Sequence, residues 1–312
     1  MKQIRLLIFL LLTAHYLYAQ DNKVNFQIQT DLEQISLWTV NMPDGKGSRE
    51  AEKINTKGSV TNVSNPRLII HKPGNPNGTA ILIISGGGYA HIELGKESTP
   101  TANWLQSEGV TAFELIYRLP QEGWKTTSVP FEDAQRAIRI IRSRANSFGI
   151  DPNKIGVLGF SAGGHLAGFV SAQPEKQFYT PIDKIDSLSA KPNFTGLIYP
   201  VLSMLPPNNK THTKKSILGE NPTMEQEIEF SVEQQVNNNM PETFLAQALD
   251  DPISPIDNIF LMSNALRKAN VPFEMQVFQS GGHGWGMGKS GSLVIAWSGL
   301  FKNWAKFNGF WK

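Results

Sequence analysis

Short apolar runs alternate with longer amphipathic stretches along most of the chain. Strands are predicted where apolar and β-branched residues cluster, at residues 68–71, 80–84, 110–117, 155–159, 194–199, 244–249 and 273–278. Helices are predicted where apolar residues recur every three to four positions, at residues 130–148, 255–270 and 292–307. This alternation predicts an α/β fold with a doubly wound, mostly parallel sheet and helices on both faces.

The chain shows no internal repeat and no low-complexity linker, which favours one domain over residues 65–312. Residues 201–240 contain PPNN and NNN and are predicted to be an insertion or cap beside the sheet. Residues 20–64 are predicted to be an N-terminal extension or edge strands.

The first 19 residues have the pattern of a secretory signal peptide. Lys2 and Arg5 precede an apolar run over residues 6–12, and small or polar residues follow around Ala19. The run is too short to span a bilayer, and no other stretch is long and apolar enough. We therefore expect a secreted or periplasmic protein without membrane attachment after cleavage. The sequence does not indicate an oligomeric state.

Charge and cysteine content exclude several kinds of partner. The chain has 29 basic and 27 acidic residues, and without Lys2 and Arg5 the two counts are equal. A balanced charge does not favour nucleic-acid binding. Cysteine is absent, and the histidines lack metal-ligand spacing, so we expect no disulfide, no metal and no cofactor.

A serine stands among small residues in GVLGFSAGGHLAG, residues 156–168. Gly159 to Gly163 fit the pattern G-x-S-x-G, after a predicted strand and at the start of a predicted helix. One interpretation is a glycine-rich turn that only lets two elements pack. The other, which the strand–turn–helix context favours, is a sharp elbow that presents Ser161 as a nucleophile.

A serine nucleophile needs a base, and the base needs an acid that orients it. His283 lies in GGHGWG, a flexible segment directly after the last predicted strand, and is the candidate base. His165 is expected to turn away from Ser161 and to form a packing or hydrogen-bonding contact beneath the site, because it lies four residues further along the same helix.

Asp250 and Asp251 follow a predicted strand and are both candidates for the acid. Adjacent side chains of an extended chain point opposite ways, so only one of them can face His283. Asp251 precedes Pro252, which restricts its backbone to an extended or turn conformation and favours Asp251. The order serine, aspartate, histidine is that of the α/β-hydrolases.

A third glycine-rich segment, SGGG at residues 85–88, ends a predicted strand. Its bare backbone can bring N–H groups to a developing oxyanion. A phosphate-binding loop is the alternative, but the lysine and the glycine spacing of such loops are missing.

Taken in order, seven segments resemble the secreted bacterial α/β-hydrolase esterases related to acetylxylan esterases, a xylanase-associated and dienelactone-hydrolase-like group: SGGGY, ELIYRL, FEDAQRAIRIIRSRA, IGVLGFSAGGHLAG, KKSILGENP, FLAQALDDPISPIDN and GGHGWG. The resemblance runs from about residue 65 to 307. One departure is Ser85, which stands where such esterases commonly have histidine or proline.

The resemblance assigns roles to named residues. It implies Ser161 as nucleophile with Asp251 and His283 as its partners, and it implies the oxyanion donors Gly87, Gly88 and Ala162. Three further residues lie beside these motifs and are candidate substrate contacts: Tyr89, His91 and Trp285.

The expected function is hydrolysis of short-chain acetyl esters on plant cell-wall carbohydrate, such as xylan or xylo-oligosaccharides, through an acyl-enzyme. The expected partner is a small-molecule or oligosaccharide ester. Two other functions remain open: a serine peptidase or lipase-like hydrolase of another substrate, and a non-catalytic binding protein with this fold.

Overall fold

A computed structural model describes residues 26–29, 31–39 and 41–312. The predicted signal peptide lies outside these described residues. The strands are β1 (Gln34–Ser36), β2 (Lys53–Ile54), β3 (Ser59–Thr61), β4 (Arg67–His71), β5 (Ala80–Ile84), β6 (Ile92–Glu93), β7 (Thr111–Ile116), β8 (Ile155–Phe160), β9 (Phe194–Ile198), β10 (Glu242–Ala248) and β11 (Phe273–Phe278).

A central sheet has the order β1-β4-β7-β5-β8-β9-β10-β11, counted over the described residues. Six neighbouring strands of this sheet run parallel: β7, β5, β8, β9, β10 and β11. Strand β4 is antiparallel to both of its neighbours, β7 and β1. The mostly parallel sheet predicted from the sequence is confirmed. A small antiparallel sheet, β2-β3-β6, lies apart from it.

The α-helices are α1 (Thr99–Ser107), α2 (Val129–Ser143), α3 (Ala162–Ala172), α4 (His212–Leu218), α5 (Met224–Phe230), α6 (Val232–Gln235), α7 (Asp257–Lys268) and α8 (Trp297–Phe307). None of the helices in the described ranges is long and apolar enough to cross a membrane. The helix predicted over residues 130–148 ends earlier, at Ser143, and a 3₁₀ turn, Ala145–Phe148, follows it. Gly149 then reverses the chain with a φ of 66°.

Helices cover both faces of the sheet because its strands are apolar on both faces. Every residue of β5 and β8 is buried. One core cluster contains apolar side chains of α2, α3 and α7, and a second contains those of α1 and α8. This double covering is typical of parallel sheets, and it leaves the carboxyl ends of the strands for polar residues.

A fully buried arginine fastens the N-terminal segment to this core. Arg118 donates through Nε and Nη2 to Asp133 at 2.8–3.0 Å and through Nη2 to Glu132 at 2.8 Å. It also donates through Nη1 to the carbonyl oxygen of Pro43, and Trp38 donates to Asp133 at 2.7 Å. We call Arg118, Glu132 and Asp133 the arginine cluster.

Candidate active site

Ser161 lies on a sharp turn between β8 and α3. Its backbone has φ 51° and ψ −117°, a conformation that a residue with a side chain rarely adopts. The turn is close to its neighbours: a Cβ at Gly163 would lie 2.1 Å from the carbonyl oxygen of Ile84, and one at Gly159 would lie 2.3 Å from that of Gly163. The glycines of the motif therefore permit the elbow.

His283 and Asp251 complete a continuous row of hydrogen bonds that begins at Ser161. Ser161 Oγ lies 2.8 Å from His283 Nε2, and His283 Nδ1 lies 2.7 Å from Asp251 Oδ2. The Asp251 side chain is fully buried, and that of His283 is 18 % exposed. With Nδ1 as donor to the carboxylate, Nε2 is free to accept the serine proton.

Several neutral donors hold the Asp251 carboxylate. Its Oδ1 accepts the backbone N–H groups of Ile253 and Ser254 at 2.8 and 2.9 Å, and its Oδ2 accepts the amide of Gln247 at 3.1 Å. These bonds fix the carboxylate beside His283 without a second charge, so the imidazole is oriented by a rigid acceptor.

Asp250 has a different contact, although it is the neighbour of Asp251 in the chain. Its Oδ1 accepts the backbone N–H groups of Gly281 and Gly282, both at 2.8 Å, and these bonds lower the pKa of the exposed carboxyl group. Residues 281–286, which we call the histidine loop, are thus anchored by Asp250 and oriented by Asp251. Asp251 thus contacts the His283 side chain, whereas Asp250 contacts the backbone of the histidine loop.

Residues 85–88, which we call the glycine loop, pack against the serine elbow. A Cβ at Gly86 would lie 2.8 Å from the Cβ of Ser161, and one at Gly87, whose φ is 114°, would lie 2.2 Å from the carbonyl oxygen of His91. A larger residue would push the loop away from Ser161. Ala162 begins α3, so its N–H lacks an acceptor within the helix.

Ser85, the departure noted in the sequence, has a structural contact of its own. Its Oγ accepts the backbone N–H of Ser98 at 3.1 Å, and its carbonyl oxygen accepts the hydroxyl of Tyr117 at 2.9 Å. These two bonds hold the start of the glycine loop in place.

A cavity of about 450 Å³ opens at Ser161 and His283. Its lining includes Gly87 and Gly88 of the glycine loop and the residues that follow this loop: Ala90, His91, Glu93, Lys96 and Glu97. Thr211, His212 and Thr213 at the start of α4 also line it, together with Val201, Ile253 and Gly284. The insertion, residues 201–240, therefore contributes directly to the cavity.

A hydrogen bond fastens this insertion to the glycine loop. Ser216 of α4 donates to the carbonyl oxygen of Gly88 at 2.8 Å, and the amide of Gln121 donates to the carbonyl oxygen of Ser216. A Cβ at Gly88 would lie 2.8 Å from the Cβ of His212. His212 was missed in the sequence because its lysine-rich neighbours predict an exposed loop.

The three candidate substrate contacts have different places in the structure. His91 lines the cavity and pairs with Glu93 at 2.8 Å, and this hydrogen bond raises the pKa of the imidazole. Tyr89 is fully buried and contacts His165 at 2.9 Å. Trp285 is 3 % exposed and packs on Tyr199 at a ring-centroid distance of 4.5 Å.

Tyr89 and Trp285 therefore do not line the cavity, contrary to expectation. Tyr89 has a φ of 60°, and the turn directs its ring toward the core instead of the site. Trp285 follows His283 by two residues, and its ring packs against Tyr199 and Phe278 in the core. His165 lies beneath the site, as expected, where it is fully buried between Tyr89 and the carbonyl oxygen of Phe230.

The mostly parallel sheet, the serine elbow at the end of β8 and the histidine loop after β11 define the class: the protein has the α/β-hydrolase fold. Residues 68–266 match the model of the BD-FAE family. The chain therefore belongs to the BD-FAE family.

Named relatives agree with this assignment. The chain is 34 % identical over 232 residues to endo-1,4-beta-xylanase B of Butyrivibrio fibrisolvens, covering 72 % of the chain and 34 % of that protein. It is 30 % identical over 226 residues to the acetylxylan esterase of Xylanibacter ruminicola, covering 71 % of the chain and 44 % of that protein. The chain thus spans less than half the length of these two curated relatives.

A solved structure covers more of the chain. An acetyl ester-xyloside bifunctional hydrolase from Caldicellulosiruptor lactoaceticus is 33 % identical, with a TM-score of 0.79, and the match covers 90 % of the chain and 97 % of that structure. The resemblance to esterases related to acetylxylan esterases, stated from the sequence motifs, is confirmed. The chain groups with carboxylic ester hydrolases.

Proposed function

We propose that the protein is a serine esterase that removes acetyl groups from plant cell-wall carbohydrate, such as xylan or xylo-oligosaccharides. The observation that carries the proposal is the hydrogen-bonded row Asp251–His283–Ser161, whose serine end opens into the cavity. The names of the relatives, acetylxylan esterase and acetyl ester-xyloside bifunctional hydrolase, support an acetyl ester of a xylose-based carbohydrate as the substrate.

In the acylation step, Ser161 Oγ attacks the carbonyl carbon of the acetyl ester while His283 Nε2 takes the hydroxyl proton. The 2.8 Å separation of these two atoms allows the transfer without rearrangement. The buried Asp251 carboxylate stabilises the imidazolium that forms, because its opposite charge lies 2.7 Å from Nδ1.

The negative charge that develops on the carbonyl oxygen needs donors that are already in place. We assign this role to the backbone N–H groups of Gly87, Gly88 and Ala162, since the glycine loop and the first turn of α3 both lie against Ser161. Fixed donors in a water-poor site stabilise such an oxyanion by several kcal/mol, on the order of 3 kcal/mol for a single donor.

The tetrahedral intermediate then collapses. The bond between the carbonyl carbon and the sugar oxygen breaks, and the imidazolium of His283 gives its proton to that oxygen, which leaves as a hydroxyl group. A water molecule then transfers a proton to His283 and attacks the acetyl-serine. Acetate leaves, and Ser161 recovers its proton.

The sugar is expected to lie in this cavity. Four of its lining residues carry hydrogen-bonding groups suited to hydroxyls: His91, Glu93, Thr211 and His212. Trp285 has no part in this assignment because it is buried behind the site.

The test is acetate release from acetylated xylan, acetylated mannan, acetylated pectin and cephalosporin C, with p-nitrophenyl acetate and octanoate as simple esters. We expect fastest release from xylan and a strong preference for acetyl over octanoyl. Ser161→Ala protein is the control for each substrate.

Three results would contradict the proposal, and each indicates a different function. Preference for octanoate indicates a lipase-like enzyme, and cleavage of peptides in place of esters indicates a peptidase. Binding of xylo-oligosaccharides with no ester cleavage indicates a non-catalytic protein.

We further propose that the protein is exported, on the pattern of its first 19 residues. Mass spectrometry of the native protein should give a chain that begins at Gln20 or Asp21. A mature protein that retains residues 1–19 would overturn this proposal.

A further inference from the structure

Glu97 is buried directly beneath the glycine loop. It belongs to a π-helical turn, Leu94–Ser98, and is 3 % exposed. Its Oε2 accepts the backbone N–H of Gly86 at 2.6 Å, and its Oε1 accepts the hydroxyl of Tyr199 at 3.0 Å. A π-helical turn is rare and is found frequently at functional sites.

Tyr199 extends this contact to the histidine loop. Its hydroxyl oxygen accepts the backbone N–H of Gly286 at 3.0 Å, and its ring packs edge-on against His283 at a centroid distance of 5.1 Å. Tyr199 itself has a φ of 37°, which turns the chain sharply at the end of β9. A single chain of hydrogen bonds thus runs from Gly86 through Glu97 and Tyr199 to Gly286.

We propose that Glu97 and Tyr199 are positioning residues that fix the glycine loop and the histidine loop at their spacing on either side of Ser161. This rests on the proposed function, because the spacing matters only if the loops supply the oxyanion donors and the base. Catalytic groups must be held to within about half an ångström, which loops do not achieve without support of this kind.

A carboxylate suits this role better than its neutral amide. Gly86 and Tyr199 both donate to Glu97, so the side chain must accept at two separate oxygens. A glutamine has one oxygen, and its NH₂ group would face one of the two donors. The geometry can therefore be kept only partly after Glu97→Gln.

Burial beneath the glycine loop disfavours the ionised form of Glu97. Burial raises the pKa of Glu97 to about 7, against the hydrogen bonds from Gly86 and Tyr199, which favour the ionised form. The titratable and charged groups near it are Glu93, Lys96, His91, Tyr117, Tyr199 and His283.

The raised pKa of Glu97 makes the stability of the folded protein depend on pH. The folded protein holds the Glu97 proton up to about pH 7 and the unfolded chain only to its ordinary value of 4.5, so stability falls as pH rises through this range. Above pH 7 the folded state contains a buried negative charge that a glutamine would not have.

The experiment compares Glu97→Gln, Tyr199→Phe, the double variant and the control Glu108→Gln on p-nitrophenyl acetate. Glu108 is a matched glutamate that pairs with Lys302 on the surface, outside the cavity. We expect kcat to fall on the order of tenfold in Glu97→Gln and severalfold in Tyr199→Phe, with KM within about twofold, because displacing an oxyanion donor acts on the transition state. The control should keep its kcat.

Two further measurements separate positioning from a structural role. The double variant should be no slower than Glu97→Gln, since residues that act as one unit are not additive. At pH 8.5 Glu97→Gln should melt at the same temperature as the wild type or higher, although it is slower. A residue that only held the fold together would lower the melting temperature at every pH and leave kcat of the folded protein unchanged.

The outcomes also distinguish this proposal from the proposed function. If the wild type cleaves no ester, or if Ser161→Ala is as active as the wild type, the proposed function fails. If the wild type is active, Ser161→Ala is not, and both Glu97→Gln and Tyr199→Phe keep a normal kcat, the positioning role alone is wrong. Tyr199→Phe provides this test even where Glu97→Gln does not fold.

Discussion

Two regions that bury carboxylates compensate them differently. In the arginine cluster, a guanidinium with no exposure lies against Asp133 and Glu132. At the candidate active site, the carboxylates of Asp251 and Glu97 are held by backbone N–H groups, an amide and a phenol. Neither has a lysine or arginine partner in the part of the chain that the structure describes.

The difference indicates what each region does. Arg118 donates to both Glu132 and Asp133, although burial raises the pKa of Glu132 to about 9. The same guanidinium and Asp133 fasten the chain segment containing Trp38 and Pro43. Neutral donors add no positive charge beside Asp251, which suits its proposed role of stabilising a protonated His283. One region should therefore control stability and the other activity.

The largest effect should come from the serine itself. Ser161→Ala should reduce turnover of p-nitrophenyl acetate by about 10⁴-fold or more, because the acyl-enzyme cannot form. Its unfolding transition should stay close to that of the wild type. More than a few per cent residual turnover would show that Ser161 is not the nucleophile. The region around it would then no longer be the one that controls activity.

The two adjacent aspartates give the next largest effect. Asp251→Asn should lower kcat by about 10³- to 10⁴-fold at pH 7, because an amide cannot stabilise the imidazolium. Asp250→Asn should change kcat by less than about threefold, since an asparagine oxygen can still accept the two glycine N–H groups. The reverse pattern would assign the acid to Asp250.

Breaking the arginine cluster should change stability alone. Arg118→Met should lower the free energy of unfolding by about 3–5 kcal/mol, because Asp133 would stay buried without its partner. The kcat of the remaining folded protein should be unchanged. Lys302→Met is the control, since it breaks an ion pair that is about 30 % exposed and should lose less than about 1 kcal/mol. A loss of kcat in folded Arg118→Met would show that the two regions are coupled.

His165 extends the comparison to a buried group that the fold keeps neutral. Burial lowers its pKa to about 4, so the unfolded chain binds a proton near pH 6.5 that the folded protein refuses until about pH 4. The contribution of His165 to stability should therefore fall as pH drops through this window, by about 2 kcal/mol at pH 5 relative to pH 7, and it opposes the contribution of Glu97. Denaturant unfolding of the wild type and of His165→Gln at both pH values measures it as the difference between the two proteins. The change in free energy of unfolding from pH 7 to pH 5 should be more favourable in His165→Gln by about this amount, and an equal change in both proteins would contradict the assignment.

Features set by neighbouring residues could be predicted from the sequence. Seven strands of the central sheet were predicted from clusters of apolar residues, whereas the short edge strand β1 was not. The serine elbow was predicted because its glycines are required within five residues. The alternation of facing directions at Asp250 and Asp251 is also local, and the structure gives the two side chains different partners.

Contacts between distant residues could not be predicted. Glu97 meets Tyr199 across 102 positions of sequence, and no motif marks either residue. His212 reaches the cavity only because α4 folds over the glycine loop. For Tyr89 and Trp285, proximity in sequence to a glycine loop or to His283 was mistaken for proximity in space, although both side chains turn into the core.

The bond from Ser216 to the carbonyl oxygen of Gly88 has a consequence for protein engineering. The insertion looks like a module that could be exchanged between relatives to change which sugar is accepted. Since α4 is tied to the same loop that is proposed to stabilise the oxyanion, an exchange of residues 201–240 would alter recognition and reaction rate together. A graft that retains a hydroxyl at position 216 should keep the rate while its specificity changes.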